Sequence, residues 1–226
     1  MSESIVVQQP GTAAEQLMLL FHGVGGQAEE MLPLAKVLGA AFPQACIVSV
    51  QAPHASDLGG GFQWFSVLGV TDENRAARIA AVMPGFVATV RHWQERARAG
   101  IEATALIGFS QGAMMALEAT REPAPLAGRV VAIAGRFAEL PLEAAPLTTI
   151  HLLHGKADPV IAYGHTIAAA ERLLALGADV TADVLPFVEH AIAEPLAALV
   201  VERLQGYLPQ RRWREALRAD PGPGDD

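Results

Sequence analysis

The sequence has one cysteine, Cys46, and only two lysines, Lys36 and Lys156, among its 16 basic residues. A lone cysteine cannot close an internal disulfide. Its place in the run Ala45-Cys46-Ile47-Val48-Ser49-Val50 makes it a core residue rather than a nucleophile. The formal net charge is −8 and no basic cluster lies in the body of the chain, which argues against a nucleic-acid or anionic-membrane surface. No apolar run approaches the length of about 20 residues that a membrane span needs. The first ten residues lack a basic segment followed by an apolar core, so no secretory signal is expected. The expected compartment is the cytoplasm, with no stable membrane association. Histidines and carboxylates show no H-E-x-x-H or related spacing, so neither a metal nor another cofactor is expected.

What is present is a chain of 226 residues, 51% hydrophobic and 18% charged, long enough to bury a full core. Residues 103–109 form an apolar run that ends in Gly108-Phe109-Ser110-Gln111-Gly112, and a helix-forming run over 113–119 begins at once. The pattern reads as strand, sharp turn and helix, with Ser110 at the apex. A serine nucleophile needs this shape, because it must stand clear of the sheet, beside backbone N–H donors at a helix N-terminus. Glycine at 108 and 112 suits the turn, since a side chain at either would collide with the neighbouring strand or helix. The same geometry predicts three partners: a glycine-rich loop earlier in the chain, then an acid and a histidine, each past the carboxyl end of a strand.

The rest of the chain alternates strands with helices. Residues 5–7 suit a short edge strand, and 17–21 a strand buried on both faces. The strand runs into His22-Gly23-Val24-Gly25-Gly26-Gln27, after which Met31, Leu34, Ala35, Leu38 and Phe42 mark one face of a helix. Strands are expected at 45–50, 103–109, 129–134, 148–153 and 180–187. Helices are expected from Thr71 toward Ala99, over 111–122, over 161–176 and over 191–208, with Pro84 kinking or dividing the first of these. Residues 51–71 form a long loop with three successive glycines and then Phe62, Trp64 and Phe65. Such alternation implies a doubly wound α/β fold, a mostly parallel sheet with helices on both faces. Only about a dozen residues join the strands at 129 and 148, so no lid domain is expected and the site should be open. The fold is expected to fill residues 1–208, and 209–226 to form a surface helix and a flexible tail.

The expected acid is Asp158, in His154-Gly155-Lys156-Ala157-Asp158-Pro159, just past a strand. Of the seven histidines, only His190 follows the acid, ends a strand and keeps the order serine, acid, histidine. His22 lies in the glycine loop, His54 in the long loop, His92 and His165 in helices, and His151 within a strand. His154 falls in the turn that places Asp158. The N–H groups of Gln111 and Val24 are the expected oxyanion-hole donors. Phe62, Trp64 and Phe65 could line an acyl pocket or could anchor their loop to the core.

These motifs, Leu20-Phe21-His22-Gly23-Val24-Gly25-Gly26, Gln63-Trp64-Phe65, the Gly-Phe-Ser-Gln-Gly elbow, His154 to Pro159 and His190, resemble the phospholipase/carboxylesterase family of α/β-hydrolases. The resemblance extends to about Pro209. It implies serine hydrolysis of a small-molecule ester or thioester, with Ser110, Asp158 and His190 as triad. Ser66 stands where the acyl-protein thioesterase branch typically has an aspartate after the tryptophan–phenylalanine pair, and 53–58 lacks that branch's Pro-Val-Thr segment. These departures favour a general carboxylesterase of short to medium acyl chains over protein depalmitoylation. A thioesterase or lysophospholipase of the same mechanism, and a ligand-binding homologue without turnover, are the competing readings. A homodimer is compatible with the sequence.

Overall fold

The computed structural model describes residues 3–11 and 13–219. A seven-stranded sheet runs through the molecule. Its strands are β1 (Ile5–Gln8), β2 (Gln16–Phe21), β3 (Ala45–Val50), β6 (Thr104–Phe109), β7 (Arg129–Ile133), β8 (Thr149–Gly155) and β9 (Asp179–Leu185). A separate two-stranded hairpin within the long loop supplies β4 (His54–Ala55) and β5 (Phe62–Gln63). The main sheet has the order β1-β3-β2-β6-β7-β8-β9. Every pairing is parallel except that of β1, which closes one edge antiparallel to β3.

The helices are α1 (Leu32–Ala41), α2 (Asp72–Ala97), α3 (Gln111–Glu118), α4 (Gly164–Ala175), α5 (Glu194–Gly206) and α6 (Gln210–Ala219). Alternation along β2 divides the core. Leu17, Leu19 and Phe21 pack with α2, α3 and α4, whereas Met18 and Leu20 pack with α1 and α5. Both faces of a parallel sheet are thereby covered, and the loops at the carboxyl ends of the strands are left to hold the site.

Three elements differ from expectation. Pro84 does not divide α2, which runs unbroken for 26 residues. Proline removes one backbone bond, but Ile79, Met83, Phe86, Val90 and Trp93 are all buried along the helix, and this apolar stripe holds it across the gap. α4 starts at Gly164 rather than 161, because the N–H groups of Val160 and Ile161 turn back to the Asp158 carboxylate. β8 runs to Gly155, in register with β9 as far as Leu185. Among the described residues, the connection between β7 and β8 contains no helix and no lid. The expected surface helix is α6, and the tail over 220–226 lies outside the described residues.

Candidate active site

Ser110 sits between β6 and α3 with φ 53° and ψ −115°. A left-handed φ is strained for a residue with a Cβ, and here the strain is imposed by the surroundings. A Cβ on Gly108 would lie 2.3 Å from the Gly112 carbonyl oxygen, and one on Gly112 would lie 2.2 Å from that of Phe21. Helix and strand approach this closely only because both positions are glycine, as the sequence pattern requires. The Ser110 N–H is tied to the Ile133 carbonyl at 2.9 Å.

Ser110 Oγ lies 3.0 Å from His190 Nε2, and His190 Nδ1–H donates to Asp158 Oδ2 at 2.7 Å. With that hydrogen on Nδ1, Nε2 of the neutral ring accepts the serine hydroxyl. Residues 80 and 32 positions apart are thus brought into one line. The Asp158 side chain is fully buried, and its other oxygen accepts from the Val160 and Ile161 N–H groups at 2.8 and 2.9 Å. Burial pushes its carboxyl up. The hydrogen bonds from His190, Ile161 and Val160 together outweigh burial and set the net shift downward, favouring the carboxylate.

Sequence reasoning missed a second histidine at this acid. His154 lies within β8, fully buried, with Nε2 3.2 Å from Asp158 Oδ2 and 2.9 Å from the Ile161 carbonyl oxygen. Because a carbonyl only accepts, Nε2 carries the hydrogen, and Nδ1 accepts the Thr166 hydroxyl at 2.7 Å. Burial lowers its pKa and holds the ring neutral. The i,i+4 spacing of His154 and Asp158 was visible, but only the turn over 158–161 folds one back onto the other.

The glycine loop after β2 is braced from several sides. His22 Nδ1–H donates to the Gly23 carbonyl at 2.7 Å, while Nε2 accepts the Ala52 N–H at 3.1 Å. Gly25 N–H donates to the Phe62 carbonyl and Phe62 N–H to that of Gly26, both at 2.8 Å. Trp64 Nε1–H donates to the His22 carbonyl at 2.9 Å. The Gln111 side chain links elbow and loop: its amide oxygen accepts the Trp64 N–H at 2.8 Å, and its amide nitrogen donates to the Phe65 carbonyl at 2.7 Å.

The packing of the aromatic loop favours the second of the two roles open to it, anchoring the loop to the core. Trp64 and Phe65 are each 3% exposed and belong to the core, with Phe62 half-buried against it. Trp64 packs edge-on to Phe21 and Phe86. The open space it does border lies toward α2, and the lining of that space includes none of Ser110, Asp158 and His190. The Trp64 ring braces the glycine loop through its Nε1–H, whereas Phe62 and Phe65 hold loop and elbow through their backbone groups. Ser66 Oγ–H meanwhile donates to Asp57 Oδ2 at 2.6 Å, and the same oxygen accepts the Val67 N–H at 3.1 Å. A carboxylate from the preceding loop thus organises the turn after the tryptophan–phenylalanine pair.

A mostly parallel sheet with helices on both faces and a strained serine between strand and helix is the architecture of an α/β-hydrolase, and the protein is an enzyme of the hydrolase class. Comparison narrows the class. The family model described as Phospholipase/Carboxylesterase matches residues 2–205, and the chain belongs to that family. It is 46% identical over 224 residues to esterase YpfH of Escherichia coli (strain K12), covering 99% of this chain and 96% of that protein. The crystal structure of esterase PE8 superposes with a TM-score of 0.82 at 27% identity, over 91% of this chain and 99% of that one. The carboxylesterase of Bacillus cereus shares the fold at a TM-score of 0.74 and 18% identity, over 88% and 91% of the two chains. No helix among the described residues is long and apolar enough to cross a membrane.

Proposed function

We propose that the protein is a serine carboxylesterase acting on small-molecule esters of short to medium acyl chains through an acyl-enzyme. The observation that carries this is the unbroken line of hydrogen bonds from Ser110 Oγ through His190 to Asp158. Ser110 attacks the carbonyl carbon while His190 Nε2 takes its proton, and Asp158 stabilises the imidazolium that forms. The oxyanion is received by the Val24 and Gln111 N–H groups, neither of which donates to another group among the described residues. His190 then hands the proton to the departing alcohol. Water enters, and the same steps in reverse release the acid. The kinship with a protein named esterase supports this chemistry, and the absence of a lid helix among the described residues supports short and medium chains over long ones. We place the enzyme in the cytoplasm.

Labelling with a fluorophosphonate probe tests the reading. Modification is expected at Ser110 and lost in His190→Ala, and Ser110→Ala and His190→Ala are each expected to lose about 10⁴-fold or more in kcat on p-nitrophenyl butyrate. Unlabelled, well-folded protein would overturn the mechanism. A rate on p-nitrophenyl esters that climbs steadily to palmitate would overturn the chain-length preference.

A further inference from the structure

A groove of about 680 Å³ leaves the site between α1 and α5, on the opposite face of the sheet from the aromatic loop. Its walls are largely apolar, with Met31, Leu34 and Val37 on one side, Ile192 and Ala197 on the other, and Phe109 also in the lining. Gly23 and His190 close its inner end. That end lies against the nucleophile, because a Cβ on Gly23 would stand 3.2 Å from Ser110 Cβ and 3.3 Å from the Phe109 ring. The His190 ring packs on Phe109 with centroids 5.0 Å apart.

Position decides which half of an ester fits there. When the acyl C–O bond breaks, its electron pair stays on the alcohol oxygen, which takes the proton from His190 Nε2. The alcohol must therefore sit beside His190, where the groove begins. Charge narrows the choice. Glu30 and Glu194 border the groove, and among the described residues no lysine or arginine lines it, so a carboxylate on the alcohol meets like charge with no compensating partner there.

We propose that this groove is the alcohol subsite and that the enzyme selects esters of uncharged, apolar alcohols. The assignment rests on the serine-esterase reading above and adds the direction in which the leaving group lies. It predicts that lengthening the alcohol is rewarded. A fully buried methylene contributes about 0.8 kcal/mol, or roughly fourfold in kcat/KM.

The test uses the full chain and two substrate series followed by proton release: acetates of alcohols from methanol to hexanol, and methyl esters of acids from acetic to hexanoic. In the alcohol series kcat/KM is expected to rise by about two- to fourfold per methylene before levelling off. Val37→Trp and, separately, Ala198→Trp fill the groove from its exposed side. Each is expected to lower the ratio of hexyl to methyl acetate rates by about tenfold or more while Ser110 still reacts with a small alkyl fluorophosphonate. An acetate whose alcohol ends in a carboxylate should fall behind its neutral isostere, and Glu30→Gln with Glu194→Gln should narrow the gap. A flat alcohol series, or a tryptophan penalty that follows acyl length instead, overturns the groove assignment while leaving Ser110 labelling intact. If wild-type Ser110 is itself not labelled, the serine-esterase reading fails and the subsite falls with it.

Discussion

At the scale of single residues, Asp158 Oδ2 stands between two histidines, His190 at 2.7 Å and His154 at 3.2 Å. The Nε2–H of His154 is shared with the Ile161 carbonyl, so its pull on the carboxylate is the weaker one. His154→Ala leaves the Asp158 carboxylate with one donor fewer holding it in place, so kcat is expected to fall about fivefold with KM little changed. His154→Gln, whose amide N–H reaches the same place, should restore most of the loss. A merely structural role would lower the stability of His154→Ala in urea titration and leave kcat where it is. The spacing of glycines around Ser110 was readable because it is local and sterically dictated. The pair of hydrogen bonds joining the Gln111 side chain to Trp64 and Phe65 was not, since its partners lie 47 and 46 residues away.

Among elements, the approach of β8 to the loop carrying His190 is one of the tightest constraints near the site. A Cβ on Gly155 would lie 2.1 Å from the Val188 carbonyl oxygen, and the N–H of Ala157 is bonded to that same oxygen at 3.0 Å. Gly155→Ala must push the loop outward and take His190 with it. A displacement of about 1 Å at a reacting group can lower kcat by about 100-fold, and that loss is expected with all three triad side chains unchanged. Crowding at such a contact also destabilises by about 1–3 kcal/mol. Urea titration beside the kinetics separates the two effects: a variant that keeps wild-type kcat would show that the loop yields elsewhere. Strands and helices were legible from apolar runs and periodicity. Their ends were displaced where a side chain replaced a backbone partner, as Asp158 does for Val160 and Ile161.

For the molecule as a whole, the alternation of strands with helices was enough to specify a doubly wound sheet, in which Ser110, Asp158 and His190 follow the carboxyl ends of β6, β8 and β9. Which aromatic side chains face the core and which face a cavity was not specified, because Trp64 and Phe65 have neighbours on β2 and α2 that only the assembled sheet brings near. His151 shows a whole-molecule property of the same kind. It is fully buried in β8, its Nδ1 is 2.8 Å from Thr181 Oγ1, and its ring meets Tyr207 edge-on. Its Nε2 has no hydrogen-bond partner among the described residues. Burial, with Arg129 and Arg203 nearby, lowers its pKa from 6.5 to about 4, and Asp179 and Asp183 offset only part of this. The folded protein therefore keeps His151 neutral where the unfolded chain takes up a proton. Its contribution to stability is complete above about pH 6.5 and drains away as the pH falls toward 4, a loss of about 3 kcal/mol. Below that pH both states carry the proton and the effect stops growing. His151→Leu removes the titrating group while filling similar space. Its unfolding free energy from urea titrations is expected to fall less steeply than wild type between pH 6.5 and 4.5, and parallel curves would mean that the ring is protonated in the fold after all.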